Sequence, residues 1–165
     1  MDAYSAEQVA VRQATAEEAN EVAEVLLQAR HANEPDIPTL VHSDDEVRGW
    51  VATVLMDHCE VWVAEVNSEI VGMMALREEW IEQMYVAPGH TSRAIGARLI
   101  ATAQDQRPAG LQLWTFEANR RAQRFYERHG FVAVERSDGS SNEEGAPDVR
   151  YRWTESSKKS ARQDE

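Results

Sequence analysis

Two stretches near the start of the chain carry apolar residues at the three- and four-residue spacing of a helix. Each opens with a capping box, in which Ser or Thr precedes Glu by three residues. Thr15 and Glu18 form the first box, and Ser43 and Glu46 form the second. The apolar positions are Ala19, Val22, Ala23 and Leu26 in the first stretch and Val47, Trp50, Val51, Val54 and Leu55 in the second. We predict two helices, the second with this stripe buried.

Other parts of the chain are rich in β-forming residues with a period of two, which predicts strands. In chain order these are Gln8–Gln13, Glu60–Val66, Glu69–Leu76, Trp80–Val86, Leu111–Phe116, Phe131–Val134 and Val149–Trp153. Asn67-Ser68 predicts a hairpin turn. Two further helices are marked by Ile95, Leu99, Ile100 and Ala103, ending before Pro108, and by Ala122, Phe125, Tyr126 and His129, ending at Gly130.

The predicted element order is β-α-α-β-β-β-α-β-α-β-β, which is an α/β arrangement. A length of 165 residues is typical of one domain, and we assign that domain to residues 1–153. Residues 154–165 are polar and charged except for Ala161, so we expect a disordered tail there.

The composition favours a soluble, cytoplasmic protein. Cys59 is the only cysteine, which excludes an internal disulfide and fits a reducing compartment. The longest stretch without a charged residue, 83–92, is too short to span a membrane. Residues 1–11 lack an apolar run, so we expect no secretory signal.

The net charge of −12 is unevenly distributed. Residues 1–60 carry a net −10, whereas residues 91–136 carry a net +4. Nucleic acid and anionic membranes are therefore unfavourable partners. The basic segment is a candidate site for a small anion, and its acidic surroundings would attract a cation. The alternative is that the charge only confers solubility.

Common catalytic and metal-binding patterns are absent from the sequence. No nucleophile elbow, Walker sequence or dinucleotide fingerprint follows a predicted strand. The five histidines lack metal-ligand spacing, so we predict no metal site. Cys59 lies beside Asp57 and Glu60, whose charges disfavour a thiolate nucleophile.

Two segments carry candidate chemistry. In residues 84–100, a strand ends at a proline turn and small residues lead into a helix, whose unpaired N–H groups favour an anion such as phosphate. Arg93 and Arg98 add positive charge there. Residues 119–131 follow the next strand and read Asn-Arg-Arg-Ala-Gln-Arg-Phe-Tyr-Glu-Arg-His-Gly-Phe.

Together these segments resemble the GNAT superfamily of N-acetyltransferases, which use acetyl-CoA. The first is similar to the family's pyrophosphate loop, Gln/Arg-x-x-Gly-x-Gly/Ala, although Thr91 and Ala94 replace the usual first residue and first glycine. The second is similar to the signature Asn-x-x-Ala-x-x-x-Tyr-Glu-x-x-Gly-Phe. The resemblance covers Val11 to Trp153. It implies the GNAT fold, with a mixed, mostly antiparallel central sheet, two splayed parallel strands and flanking helices.

The resemblance also implies a coenzyme site. Backbone groups of Met84 and Val86 would hold the pantetheine arm, and one N–H would polarise the thioester carbonyl as an oxyanion hole does. Asn119 would contact the same arm, or would only cap its helix. The pyrophosphate loop would comprise Thr91, Ser92, Arg93, Ala94, Ile95, Gly96 and Ala97.

In this family an amine attacks the thioester directly, so the enzyme needs no nucleophile. Tyr126 is the candidate acid for the leaving thiolate, with a core aromatic as the alternative. Glu82 is the candidate base, with Glu79 and Glu117 behind it. The alternative for Glu82 is an exposed strand carboxylate without a catalytic role.

The acceptor implied is a primary amine of a cationic small molecule or peptide. Trp50, Trp80 and Trp114 are candidates for an aromatic lining, or for core packing. A different class of function is an acyl-CoA-binding or sensing module without turnover. The sequence leaves open the acceptor's identity, whether the acyl group is only acetyl, and whether the protein is a homodimer.

Overall fold

A computed structural model describes residues 9–34, 36–91 and 94–156. Within these ranges seven strands form one sheet in the order β1-β2-β3-β4-β5-β7-β6. The strands are β1 (Val9–Gln13), β2 (Glu60–Val66), β3 (Glu69–Arg77), β4 (Trp80–Val86), β5 (Leu111–Phe116), β6 (Val132–Ser137) and β7 (Asp148–Trp153). All neighbours are antiparallel except β4 and β5, which are parallel.

Helices cover both faces of this sheet. They are α1 (Ala19–Ala32), α2 (Asp44–Trp50), α3 (Met56–His58), α4 (Ile95–Gln106) and α5 (Arg120–Arg128), with a π-helical turn (Val51–Leu55) joining α2 to α3. The segment from α2 to α3 corresponds to the second predicted helix. The predicted order of elements is therefore confirmed. None of the helices in the described ranges is long and apolar enough to cross a membrane.

Both predicted capping positions mark helix starts. Ser43 Oγ accepts a hydrogen bond from the Glu46 N–H at 3.2 Å, and Glu46 Oε1 accepts one from the Ser43 N–H at 3.0 Å. At the first site, Glu18 Oε1 accepts from the Thr15 N–H at 2.8 Å. There the chain first makes a 3₁₀ turn (Ala16–Glu18), and α1 begins one residue later.

The predicted stripe of the second helix is partly wrong. Val47, Val51 and Leu55 are buried as predicted, but Trp50 is 38% exposed and Val54 is 40% exposed. The π-helical turn winds more widely than an α-helix. Positions four residues apart therefore continue to face the sheet, while the positions one residue before them turn toward solvent.

The core forms two clusters, one on each face of the sheet. Helices α1 and α2 pack on one face with Met73, and α4 packs on the other with Met74. These adjacent residues of β3 face opposite clusters because side chains alternate along a strand. Burial on both faces explains why β3 is almost entirely apolar between its ends.

Most of the predicted turns and strand ends are also found. Asn67 and Ser68 both have positive φ, 51° and 67°, as a tight hairpin turn requires. Gly130 has φ 89° just beyond α5. The strand predicted at Phe131–Val134 instead runs from Val132 to Ser137 because it pairs with β7 beyond Val134. Residue 8 and residues 157–165 of the predicted tail lie outside the described residues.

Candidate active site

The parallel strands β4 and β5 pair only where they begin. Their single paired position is Trp80 with Gln112, and the Gln112 N–H donates to the Glu79 carbonyl at 2.9 Å. Beyond that position no pairing joins the two strands within the described chain. A cavity of about 1110 Å³ lies there, lined by residues 81–86 of β4 and 113–116 of β5.

The backbone of β4 is oriented toward this cavity at two predicted positions. The Ala87 N–H donates to the Val71 carbonyl at 2.8 Å. In an antiparallel ladder, hydrogen-bonded and non-hydrogen-bonded pairs alternate. Met84, opposite Met74, and Val86, opposite Gly72, are therefore non-hydrogen-bonded positions. Their N–H and C=O groups point away from β3, toward the space beside β5.

Glu82 occupies a bulge in β4. Gln83 pairs with Ala75 and Ile81 with Leu76, so Glu82 is the extra residue between them. Its carboxylate accepts two hydrogen bonds from Arg77, at 3.0 and 3.1 Å, and its side chain is 32% exposed. Glu82 also lines the cavity. The other candidate bases, Glu79 and Glu117, are exposed and do not line it.

One end of the cavity lies at the start of α4. Thr91, Gly96 and Ala97 line it. Ala94 occupies the N-cap position of α4, and the Ile95 side chain is fully buried in the core. The Ile95 side chain is therefore unavailable to a ligand, and neither Ala94 nor Ile95 lines the cavity. The remaining predicted loop residues, Ser92 and Arg93, lie outside the described residues.

Helix α5 supplies positive charge to the same end. Arg121, Arg124 and Arg128 line the cavity, and no hydrogen bond or ion pair joins them to other residues within the described ranges. Asn119 lines the cavity too and caps α5, since its Oδ1 accepts a hydrogen bond from the Ala122 N–H at 3.2 Å. The capping role considered for Asn119 is thus present.

Tyr126 belongs both to the core and to the cavity wall. It is 8% exposed, and its ring lies 5.3 Å from Phe125 and 5.5 Å from Phe131, centroid to centroid. Burial raises the pKa of its phenol above the ordinary value. No hydrogen bond to its hydroxyl is formed within the described chain. The group is therefore a protonated phenol at neutral pH.

The opposite end of the cavity contains residues that sequence reasoning missed. Arg30 comes from the end of α1, Asn33 and Ile37 follow that helix, Asn142 and Glu144 come from the connection between β6 and β7, and Asp148 begins β7. No local motif marks these residues, because they meet only when the last hairpin folds beside α1. The adjacent acidic residues Glu143 and Glu144 in a polar loop were the one sign of this part of the cavity in the sequence.

The predicted aromatic lining is only partly correct. Trp114 lines the cavity and is 41% exposed, but Trp50 and Trp80 do not line it. Trp50 lies on the exposed side of α2, and Trp80 lies at the paired end of β4, before the strands separate. No group of three or more His, Cys, Asp or Glu side chains that could hold a metal ion occurs among the described residues.

Comparison with known proteins agrees with this geometry. The family model for the Acetyltransferase (GNAT) domain matches residues 57–133. The uncharacterized N-acetyltransferase YafP of Escherichia coli K12 is 31% identical over 75 residues, which are 46% of this chain and 47% of YafP. The peptidyl-lysine N-acetyltransferase YiaC of the same organism is 29% identical over 86 residues, 52% of this chain and 58% of YiaC. The chain thus spans about half the length of these curated relatives.

Solved structures show the same fold. The apo form of YjaB from Escherichia coli superposes with a TM-score of 0.72 at 21% identity, covering 88% of this chain and 97% of that one. The PaiA N-acetyltransferase from Thermoplasma acidophilum in complex with coenzyme A gives 0.66 at 17% identity, covering 88% and 98%. The resemblance seen in the sequence is confirmed: residues 57–133 match the model of the Acetyltransferase (GNAT) domain, and the chain shares its fold with a solved N-acetyltransferase.

Proposed function

We propose that the protein is an N-acetyltransferase that moves an acetyl group from acetyl-CoA to a primary amine of a cationic small molecule or peptide. The observation that carries this proposal is the cavity between the separated ends of β4 and β5. One end has arginines and a helix start, and the other has two carboxylates. A cavity of this kind accommodates an anionic coenzyme and an amine together, as direct attack requires.

The coenzyme end fits acetyl-CoA by its charge and its backbone. Arg121, Arg124 and Arg128 favour phosphate groups. The free N–H groups of Met84 and Val86 are oriented to hold the amide-rich arm and to polarise the thioester carbonyl. The loop from Thr91 to Ala97 would hold the pyrophosphate through its backbone N–H groups at the start of α4. Acetyl-CoA supplies an activated acyl group, and a solved structure with the same fold contains coenzyme A.

Two side chains are proposed to move protons. Tyr126 lines the cavity and is a protonated phenol at neutral pH, and it donates its phenolic proton to the departing thiolate. Glu82 takes a proton from the attacking amine, directly or through one water. Its position in the β4 bulge, two residues before Met84, places it on the cavity wall while Arg77 fixes its carboxylate.

The acceptor class can be narrowed by experiment. Release of free CoA thiol should be measured with spermidine, an aminoglycoside, single amino acids, a peptide N-terminus and a lysine peptide. The lysine peptide is included because YiaC is a peptidyl-lysine N-acetyltransferase. Amine-dependent release supports the enzyme. Binding of acetyl-CoA without release for any amine would instead support an acyl-CoA-binding or sensing module.

A further inference from the structure

Arg30 is a buried cation that the protein satisfies only in part. Its side chain is 7% exposed, and its Nη2 donates to the Pro38 carbonyl at 3.0 Å. Its Cζ lies 5.7 Å from the centroid of the Phe116 ring. Its Nε is fully buried and has no hydrogen-bond acceptor among residues 9–34, 36–91 and 94–156. A guanidinium has five N–H donors, so most of this group's capacity is unused.

The carboxylate of Glu144 does not complete the site. The Arg30 Nη2 and the Glu144 Oε1 are 3.8 Å apart, too far for a hydrogen bond, and the Glu144 side chain is 15% exposed. A buried cation with unmet donors carries a desolvation cost that only close, well-aligned partners offset. Arg30 and Glu144 therefore do not satisfy each other, and both charges remain to be paired by a ligand.

Arg30 lies at the acceptor end of the cavity, which is the part formed by the end of α1 and the connection between β6 and β7. It lines that end together with Asn33, Asn142 and Glu144. A planar guanidinium matches a carboxylate in a two-point hydrogen-bonded pair. A phosphate is disfavoured, because Glu144 and Asp148 line the same space and would repel a dianion.

We propose that Arg30 binds a carboxylate of the acceptor and that Glu144 binds an ammonium group of the same molecule. This narrows the acceptor class to an amino acid, or another small amine with a neighbouring carboxylate, and replaces a purely cationic acceptor such as a polyamine with one that carries both charges. Opposite charges on the acceptor match the two opposite charges that lie side by side in the cavity. This inference rests on the proposed acetyl transfer for its catalytic meaning, but the binding contact can be tested alone.

The test compares each of a panel of amino acids with its own carboxamide, which keeps the amine and removes the negative charge. For the wild-type protein we expect kcat/KM to favour the best amino acid over its carboxamide by about 10- to 100-fold, as lost charged hydrogen bonds imply. Arg30→Gln should reduce this ratio to near one. Arg30→Lys should retain an intermediate ratio, because the positive charge remains but the two-point hydrogen bonding of the planar guanidinium is lost.

Two controls make the ratio interpretable. Arg48→Gln removes another arginine of the helical face, which pairs with Glu24 and Asp45 and does not line the cavity, and should leave the ratio unchanged. Comparing ratios between variants also cancels the different basicities of amino acids and carboxamides. Melting temperatures of all variants without ligand identify any that fail to fold, in which case Arg30→Lys carries the test.

A binding measurement separates this inference from the proposed function. Thermal shift with CoA and each amino acid or carboxamide reports the contact without turnover. Carboxylate-dependent binding that Arg30→Gln abolishes supports the inference even if no amine releases CoA thiol, an outcome that contradicts the transferase alone. Equal binding and turnover of both members of every pair, or a preference that survives Arg30→Gln, would overturn the inference.

Discussion

Gly96 lies against the aromatic ring of Phe125, so closely that a methyl group added at Gly96 would be 3.1 Å from the ring's Cζ. Both residues line the cavity. The absence of a side chain at Gly96 therefore has a packing reason that is independent of any phosphate. It also means that the ring and the start of α4 together set the width of the coenzyme end.

Replacing Gly96 with Ala should weaken coenzyme binding more than it weakens the fold. The added methyl group displaces the half-buried ring of Phe125 by a few tenths of an ångström, and the open side is the cavity. We expect the Kd for acetyl-CoA, measured by calorimetry, to rise several-fold while the melting temperature changes little. Gly49→Ala is the matched control. It meets no atom within 4 Å and should stabilise α2 by about 0.5–1 kcal/mol without changing affinity.

Arg124→Glu should also weaken coenzyme binding, through charge. Arg124 lines the cavity, whereas Arg120 of the same helix does not. We expect Arg124→Glu to raise the KM for acetyl-CoA by about tenfold at low salt, an effect that high salt reduces. Arg120→Glu makes the same charge change outside the cavity and should have a much smaller effect. Equal effects of the two variants would show that only the net charge of α5 matters.

The element order could be predicted because each element is encoded locally. Periodicity located β2, β4 and β5 with their observed bounds, and capping residues located both early helices. Asn67-Ser68 and Gly130 identified a turn and a helix end through their tolerance of positive φ. None of these features depends on distant parts of the chain.

The acceptor end could not be predicted, because it is made by tertiary packing. Arg30 follows the helical pattern of α1, and nothing in its neighbours shows that it meets Glu144, more than a hundred residues away. Trp50 at the end of α2 and Val54 in the π-helical turn are both exposed, which a simple period does not reveal. The GNAT-like motifs predict the proposed coenzyme end of the cavity, which is built from contiguous segments.

Tyr126→Phe should separate chemistry from stability. The hydroxyl has no hydrogen-bond partner within the described chain, so its loss should leave the free energy of unfolding and acetyl-CoA affinity nearly unchanged. We expect kcat to fall by about 10- to 1,000-fold if the phenol protonates the leaving thiolate. Full activity would reduce Tyr126 to a packing residue.

Tyr151→Phe is the matched control for that experiment. Tyr151 is also buried, but its hydroxyl donates to Glu127 Oε2 at 2.7 Å, and it does not line the cavity. This variant should lose about 1–2 kcal/mol of stability in urea unfolding while keeping kcat. Together the two variants distinguish a catalytic hydroxyl from a structural one.

Glu82→Gln tests the proposed base. The variant preserves shape and removes the charge, so kcat at neutral pH should fall by about 10- to 100-fold with acetyl-CoA affinity unchanged. Raising the pH should restore part of the loss, because more of the amine then arrives neutral. Glu79→Gln, outside the cavity, should behave as wild type.

Wild-type activity of Glu82→Gln at neutral pH would exclude Glu82 as the base. The next carboxylates to replace would then be Glu144 and Asp148, which line the cavity. The sequence analysis placed Glu79 and Glu117 as the next candidate bases, but both lie outside the cavity and are no longer the next to test.

Acid sensitivity of the fold should depend on Glu18. Both carboxylate oxygens of Glu18 accept hydrogen bonds from Arg12, at 2.7 and 2.9 Å, and Arg12 also bonds Glu65. This contact lowers the pKa of Glu18 from 4.5 to about 2. Because the folded-state pKa is below the unfolded one, the stabilisation is complete above pH 4.5 and is lost as the pH falls toward about 2.

Glu18→Gln should therefore lower the free energy of unfolding at pH 6. The difference in this free energy between Glu18→Gln and wild type should be smaller at pH 3, and urea unfolding measures both values. The exposed neighbour Glu17 forms no such pair within the described part of the chain, so Glu17→Gln should follow the wild-type pH profile. If wild type and Glu18→Gln lose the same free energy of unfolding between pH 6 and pH 3, the Arg12 contact does not stabilise the fold.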